Sequence, residues 1–223
     1  MKSATRGMVL AVLVAVLTAC GGGPAGHANG DSLEGHENEA PLTLSAEQLR
    51  VALPSKKSLP EGWIGGGWSS DPQVDEGAKA ADDCGDDTQT GCAGLMAHGR
   101  RSVESEENAE STGKGAPVYI HVYSFDTAEN AGVAFKGLVA SKRKPAPGGS
   151  APVPVAISTG ADETVAVSDD ISGEYTVEVM MRVGGVVVYL GGYDQKKPDS
   201  LQELAQLQID RIKKTAEGKN PDA

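Results

Sequence analysis

This sequence predicts an α+β domain, with a mainly antiparallel sheet and helices packed on one of its faces. Three observations carry that class. Residues 174–183 and 186–193 are strand-like runs that flank Gly184-Gly185, a two-residue turn whose glycines tolerate the positive φ angles of a tight hairpin. Residues 118–125 form a third strand, with Val118, Ile120 and Val122 on one side and Tyr119, His121 and Tyr123 on the other. Helical stripes stand before, between and after these strands instead of alternating with parallel ones.

The elements follow in chain order. Ser45-Ala46-Glu47-Gln48 is a capping box that opens a short helix carrying Leu49, Ala52 and Leu53, and Pro54 stops it. Leu59-Pro60-Glu61-Gly62-Trp63 makes a turn that sends Trp63 and Trp68 towards the core. Residues 71–87 read as an acidic loop. Asp126-Thr127-Ala128-Glu129 caps the next helix, whose Ala131, Phe135, Leu138 and Val139 form one stripe ending near residues 141–144. A Pro/Gly linker over 145–154 precedes a weak strand at 163–167. In the hairpin, Val183 should face Val186, Met181 face Val188 and Val179 face Leu190, an apolar surface; the opposite surface pairs Arg182 with Val187, Met180 with Tyr189, Glu178 with Gly191 and Thr176 with Tyr193. Ser200-Leu201-Gln202-Glu203 is a further capping box, opening a helix faced by Leu201, Leu204, Ala205, Ile209 and Ile212.

The N-terminus has a basic start (Lys2, Arg6), an apolar run over 8–17 and the lipobox Leu17-Thr18-Ala19-Cys20. The run is shorter than the roughly 20 apolar residues of a membrane span. Residues 1–19 resemble the signal peptide of a bacterial lipoprotein. That resemblance implies a diacylglyceryl group on the Cys20 sulfur, cleavage before Cys20, and an anchor of acyl chains, palmitate among them, on the extracytoplasmic face of the cell membrane. The alternative is an ordinary secretory signal, with Cys20 an incidental thiol. Residues 20–41, rich in Gly, Ala, His, Asn and Glu, read as a flexible tether, residues 42–216 as a single α+β domain and 217–223 as a polar tail.

Charge excludes one class of partner. The chain holds 20 basic and 31 acidic residues, and loss of Lys2 and Arg6 with the signal takes its net charge from −11 to −13. Its one tight basic cluster, Lys142-Arg143-Lys144, suits a helix C-terminus better than a phosphate backbone, so nucleic acid is not a partner. With Cys20 lipidated, Cys84 and Cys92 remain, an even number that suits a disulfide in an exported domain; a metal or redox pair is the competing reading. Asp82, Asp83, Asp86 and Asp87 around Cys84 lack the spacing of a calcium loop and read as a solvated run, with a loose cation site the alternative.

No G-x-S-x-G elbow, P-loop, H-E-x-x-H or dinucleotide fingerprint occurs in the chain, so no catalytic residue, metal ligand or cofactor is assigned. His27 and His36 fall in the tether, and His98 stands alone beside Arg100 and Arg101. The candidate binding surface is the second sheet face: Tyr119, His121, Tyr123, Glu178, Met180, Arg182, Tyr189 and Tyr193, expected to converge with no helix over them. Cross-strand pairing on a solvated face would explain the same residues.

The Leu59-to-Trp63 turn, the downstream cysteines, the strand–helix unit over 118–141, the Met181-Arg182-Val183-Gly184 hairpin and the closing helix together resemble the extracytoplasmic sensor-like domain of certain actinobacterial serine/threonine kinases. That domain also occurs as free-standing lipoproteins. The resemblance spans most of residues 42–216 and implies a non-enzymatic α+β module with a ligand cleft. The family usually carries two disulfides where this chain can make one. The expectation is a lipid-anchored binding or sensor-like module that holds a small-molecule, lipid or envelope-protein ligand. The alternatives are a lipid-carrier lipoprotein with an apolar cavity and, less favoured, a cell-envelope hydrolase.

Overall fold

Local chemistry starts the fold at Ser45. Its hydroxyl accepts from the Gln48 amide while Gln48 Oε1 accepts from the Ser45 N–H at 2.9 Å, and this reciprocal pair opens α1 (Ala46–Ala52). The computed structural model describes residues 41–66, 71–107, 117–145, 151–171 and 174–223. The signal segment, Cys20, the tether through residue 40 and Trp68 lie outside the described residues. The compact unit is Ala40–Ala223.

Eight strands form one sheet: β1 (Trp63–Gly65), β2 (Gln73–Asp75), β3 (Leu95–Ser105), β4 (Pro117–Phe125), β5 (Val153–Pro154), β6 (Glu163–Ile171), β7 (Glu174–Val183) and β8 (Val186–Gln195). Their order is β1-β3-β4-β8-β7-β6-β5, with β2 also on β3, and every pairing is antiparallel. Four helices lie wholly within the described residues: α1, α2 (Gly77–Thr88), α3 (Ala128–Lys142) and α4 (Gln202–Ala216). The class is therefore α+β with a mainly antiparallel sheet.

The β7–β8 register is the expected one from Val183–Val186 through Glu178–Gly191. Gly184 takes φ +54°, and a Cβ there would meet the Leu42 carbonyl oxygen at 2.8 Å, so the turn needs glycine twice over. The pairing of Thr176 with Tyr193 does not form. An extra residue enters β8 between Gly192 and Gln195, a bulge at which Asp194 adopts φ +54°.

Helices cover both faces of the sheet, which corrects the expectation of packing on one. On the first face, Leu49, Ala52, Leu204, Ala205, Ile209 and Ile212 of α1 and α4 pack against Val118, Ile120, Val122, Val177, Val179, Met181, Val188 and Leu190. On the second, Cys84 of α2 and Ala131, Ala134, Phe135 and Leu138 of α3 pack against Tyr123, Phe125, Val167, Met180, Val187 and Tyr189. Trp63 joins the first cluster, half-buried. Period-2 alternation along β4, β7 and β8 feeds both layers, because each strand carries a large side chain on each side.

Three further expectations change. The acidic stretch is not a loop: it contains β2 and the helix α2, whose buried positions Ala80, Cys84 and Thr88 recur every four residues. The Cys84–Cys92 disulfide forms, tying α2 to the chain entering β3, and Gln89 in the left-handed conformation ends the helix. The long strand β3 had no counterpart in the sequence reading. At α4 the capping box is absent: Leu201 is the N-cap without a side-chain bond, and the Ser200 hydroxyl donates to Gln195 Oε1 at 3.0 Å instead. The terminal residues also bind back, with Asp222 paired to Arg211 at 2.5 Å.

Candidate functional site

All eight candidate residues lie on the second side of the sheet, yet the structure divides them into three groups. Tyr123, Met180 and Tyr189 are buried beneath α2 and α3, and His121 is half-buried beside them. The expectation that no helix covers these tyrosines is thus corrected. Arg182 stands apart near the hairpin turn, where its Nε donates to Glu163 Oε1 at 2.6 Å and its Nη1 to the Gly184 carbonyl at 3.0 Å. Tyr119, Glu178 and Tyr193 gather at the opposite end of the strands. There the Tyr193 ring meets Tyr119 edge-on at 6.0 Å between centroids and remains 42% exposed.

Beneath α2 the buried group extends into a chain of titratable side chains. His98 Nδ1 donates to Asp83 Oδ2 at 3.2 Å, which leaves His98 Nε2 to accept from His121 Nδ1 at 3.2 Å. The Tyr123 hydroxyl lies 3.3 Å from His121 Nδ1 and donates to Asp87 Oδ2 in a short hydrogen bond. Asp83 and Asp87 are one helical turn apart, so both reach from α2 to the strands below. The His98 ring stacks on Tyr123 at 4.4 Å, and its side chain is wholly buried. Burial, then the charges of His121 and Arg100, push its pKa down to about 3, so His98 is neutral. Burial likewise lowers the His121 pKa against the pull of Asp87, and it raises that of Tyr123 together with the Asp87 charge. A neutral pair of imidazoles between two carboxylates is a cross-link between helix and sheet.

Asp75, Asp83 and His98 offer oxygen and nitrogen atoms within 4.8 Å of one another, a spacing compatible with a metal ion. Arg100 already serves them: its Nη2 lies 3.2 Å from Asp75 Oδ2 and its Nη1 3.1 Å from Asp83 Oδ2. The guanidinium brings to this trio the positive charge that a cation would bring.

At the end of α3 the polar groups face a cleft. Tyr189 donates its hydroxyl to Glu178 Oε1 at 3.0 Å, and Lys142 Nζ sits 3.7 Å from that oxygen and 4.2 Å above the Tyr189 ring. Burial raises the Glu178 pKa, with the Lys142 charge opposing it, and burial then the Glu178 charge raise that of Tyr193. Lys142, Lys144, Asp169, Thr176, Glu178 and Tyr193 line an open cavity of about 380 Å³. Charges of both signs, a hydroxyl and an exposed aromatic ring equip it for binding a small polar molecule.

Asp83, Asp87, His98, Arg100 and Lys142 are not among the binding candidates that the sequence offers: the aspartates read as a solvated run or a loose cation site, His98 as a lone residue beside Arg100, and Lys142 as part of a basic helix end. A signal for the first two existed: Ala80, Cys84 and Thr88 define a helical stripe, and on that helix Asp83 and Asp87 share a neighbouring side. Nothing in the spacing announces the partnership of His98 with His121.

Among the described residues no helix is long and apolar enough to cross a membrane. No family model matches the chain. No curated protein matches it either. Among solved structures, it is similar to the extracellular domain of PknH from Mycobacterium tuberculosis, with a TM-score of 0.43 and 17% sequence identity, over 78% of this chain and 93% of that one.

Proposed function

We propose that this protein is a lipid-anchored extracytoplasmic binding module, sensor-like and without catalytic activity, which holds a small polar ligand in the cleft at the end of α3. One observation carries the reading. The Glu178–Lys142 pair, the Tyr193 ring and the Asp169 and Thr176 side chains converge on a cavity of about 380 Å³, within the size range of small-molecule sites. Tyr193 offers a flat apolar surface with a hydroxyl, suited to stacking against a sugar or a planar ring, and the charged pair supplies both a donor and an acceptor. Of the eight sheet-face candidates, Tyr119, Glu178 and Tyr193 belong to this site. Tyr189 holds Glu178 in place, Tyr123 and His121 belong to the network under α2, Met180 is buried between the helices and the sheet, and Arg182 pairs with Glu163 of β6. The anchor rests on the lipobox and Cys20. A lipid carrier would need space along the apolar side of the hairpin, and α1 and α4 fill that side.

Native mass spectrometry of the exported protein, compared with the same sample denatured, tests the reading. The expected result is a bound mass in the range of a small polar molecule, retained by the parent chain and by Arg182→Ala but lost from Tyr193→Ala and Glu178→Gln. Retention in those last two variants would reject the site. A lost mass equal to a diacyl lipid would favour the carrier reading instead.

A further inference from the structure

A second cavity, of about 350 Å³, opens where β8 hands over to α4, and its lining carries the two signs of charge on separate walls. One wall is the turn into β1 together with the end of β3. Gly62 takes φ +82°, the Trp63 N–H donates to the Pro60 carbonyl at 3.1 Å, and Trp63 pairs with Ser105. The Glu106 N–H then donates to the Gly62 carbonyl at 2.8 Å. These bonds fix the chain beside Glu61 and Glu107, which line the cavity with half-buried Trp63.

The other wall follows the bulge of β8. Asp194, in the left-handed conformation, turns the chain there, and a bulge re-aims the side chains around it. Gln195 behind it is buried and fully tied: its Nε2 donates to the Tyr193 carbonyl at 2.8 Å and its Oε1 accepts from the Ser200 hydroxyl at 3.0 Å. The Ser200 N–H donates in turn to the Lys197 carbonyl at 3.3 Å. Lys196 and Lys197, both exposed, are thus carried on a braced turn.

Glu61, Glu107, Lys196 and Lys197 line one cavity, yet none of their side chains bonds or pairs with another described residue. Elsewhere in the domain acid and base close on each other, as Arg182 does on Glu163 at 2.6 Å. Here the cavity lies between them. Glu203, the third acid of the lining, stands in the first turn of α4, where the helix dipole complements its charge.

We propose that this cavity binds a zwitterion, an amino acid or short peptide with both ends free. Its ammonium meets Glu61 and Glu107, and its carboxylate meets Lys196 and Lys197. Such a ligand completes two sets of charge-assisted bonds that the walls do not make with each other, and Trp63 supplies apolar area between them. A ligand with a single charge satisfies one wall only. The site shares no lining residue with the α3 cleft and does not depend on it.

The test titrates the full chain in detergent, at constant ionic strength, with alanylalanine, its N-acetyl form and its C-terminal amide. The readouts are the calorimetric dissociation constant and the indole Nε1–H resonance of Trp63, identified by its disappearance in Trp63→Phe. A saturable shift with alanylalanine is expected, and blocking either end should weaken binding at least tenfold, about 1.4 kcal/mol. In the double variant Glu61→Gln, Glu107→Gln the penalty for acetylation should vanish. In Lys196→Gln, Lys197→Gln the penalty for amidation should vanish, a coupling that a general change of structure would not produce. All four positions are exposed, so both double variants keep the fold. No saturable response in the parent chain would overturn the proposal, as would equal affinity for the blocked peptides or unchanged affinity in both double variants. Binding that survives both double variants and is lost from Glu178→Gln would seat the dipeptide in the α3 cleft and reject the second site.

Discussion

The two faces of this sheet carry similar numbers of helices and opposite kinds of chemistry. Under α1 and α4 the contacts are mainly aliphatic, Val, Leu, Ile and Met against one another, with Arg101, Gln208 and Arg211 as buried polar exceptions. Under α2 and α3 the packing is mixed: Phe125, Phe135 and Leu138 fill one part, while histidines, tyrosines and carboxylates bond across the helix–sheet junction in another. The first face gains most of its stability from burial, which has no direction, and Gln208 and Arg211 add directed bonds only at the end of α1. The second depends on every member finding its partner, because a buried polar group left alone is costly. That difference separates what each face can do. An aliphatic layer holds the domain together, whereas a layer of oriented acids, imidazoles and phenols can support a cleft at its border.

The comparison can be broken hardest on the aliphatic side. Leu190→Ala removes a fully buried side chain from the centre of the first face and should lower stability by about 3 kcal/mol, read by denaturant melts. The polar side should instead show itself through pH. The folded-state pKa of His98, about 3, lies below its ordinary 6.5, so the unfolded chain takes up a proton first as pH falls. The stabilisation is complete above about pH 6.5 and declines towards pH 3 by about 1.4 kcal/mol per pH unit. Melts at pH 7 and pH 4.5 should differ by roughly 2–3 kcal/mol from this residue, and the difference should shrink in His98→Gln. Glu178, whose pKa is raised by burial, works in the opposite direction, so Glu178→Gln should steepen the decline.

Smaller effects sharpen the contrast. A Cβ on Gly137 of α3 would sit 2.3 Å from the Thr88 carbonyl oxygen at the end of α2, so Gly137→Ala should push the two helices apart. About 2 kcal/mol of destabilisation is expected, with loosening of the Asp83–His98 bond from α2 visible in imidazole NMR shifts. Tyr123→Phe deletes the donor to Asp87 and should cost about 1 kcal/mol while leaving the first face unchanged by amide exchange. Arg182→Ala breaks a part-exposed pair with Glu163 and should change stability by less than about 1 kcal/mol, a value that separates it from the buried network. A larger loss from Arg182→Ala than from Tyr123→Phe would contradict this division of the second face.

The aliphatic face was legible in its hairpin and its two helices, though not in β3, whose Ala97 and Val103 also join it. The β7–β8 register from Val183 to Glu178, the Ser45 capping box and the buried Leu204, Ala205, Ile209 and Ile212 of α4 all appear in the pattern of residues, because period-2 and period-3.6 spacing of aliphatic side chains marks the buried side, whereas Gln208 and Arg211 on the same helix do not. The polar face was only half legible. Its tyrosines and His121 stood out on alternating strands, but β3 reads Leu-Met-Ala-His-Gly-Arg-Arg-Ser, polar on both sides, and α2 contains Gly77, Gly85 and four aspartates. Weak propensity concealed both elements, and the packing of Ala80, Cys84 and Thr88 with the disulfide overrides it.

By itself the sequence determined an α+β domain with an antiparallel hairpin at its centre, the Cys84–Cys92 bond and an acidic balance, since local patterning, cysteine number and charge need no partner from elsewhere in the chain. The tertiary structure alone decided that a second helical layer covers the tyrosine face, that Asp83 and Asp87 meet His98, His121 and Tyr123, and that Arg211 finds acceptors where Arg101 finds none. Those outcomes depend on contacts between residues distant in sequence, where a polar side chain takes its meaning from what lies opposite it.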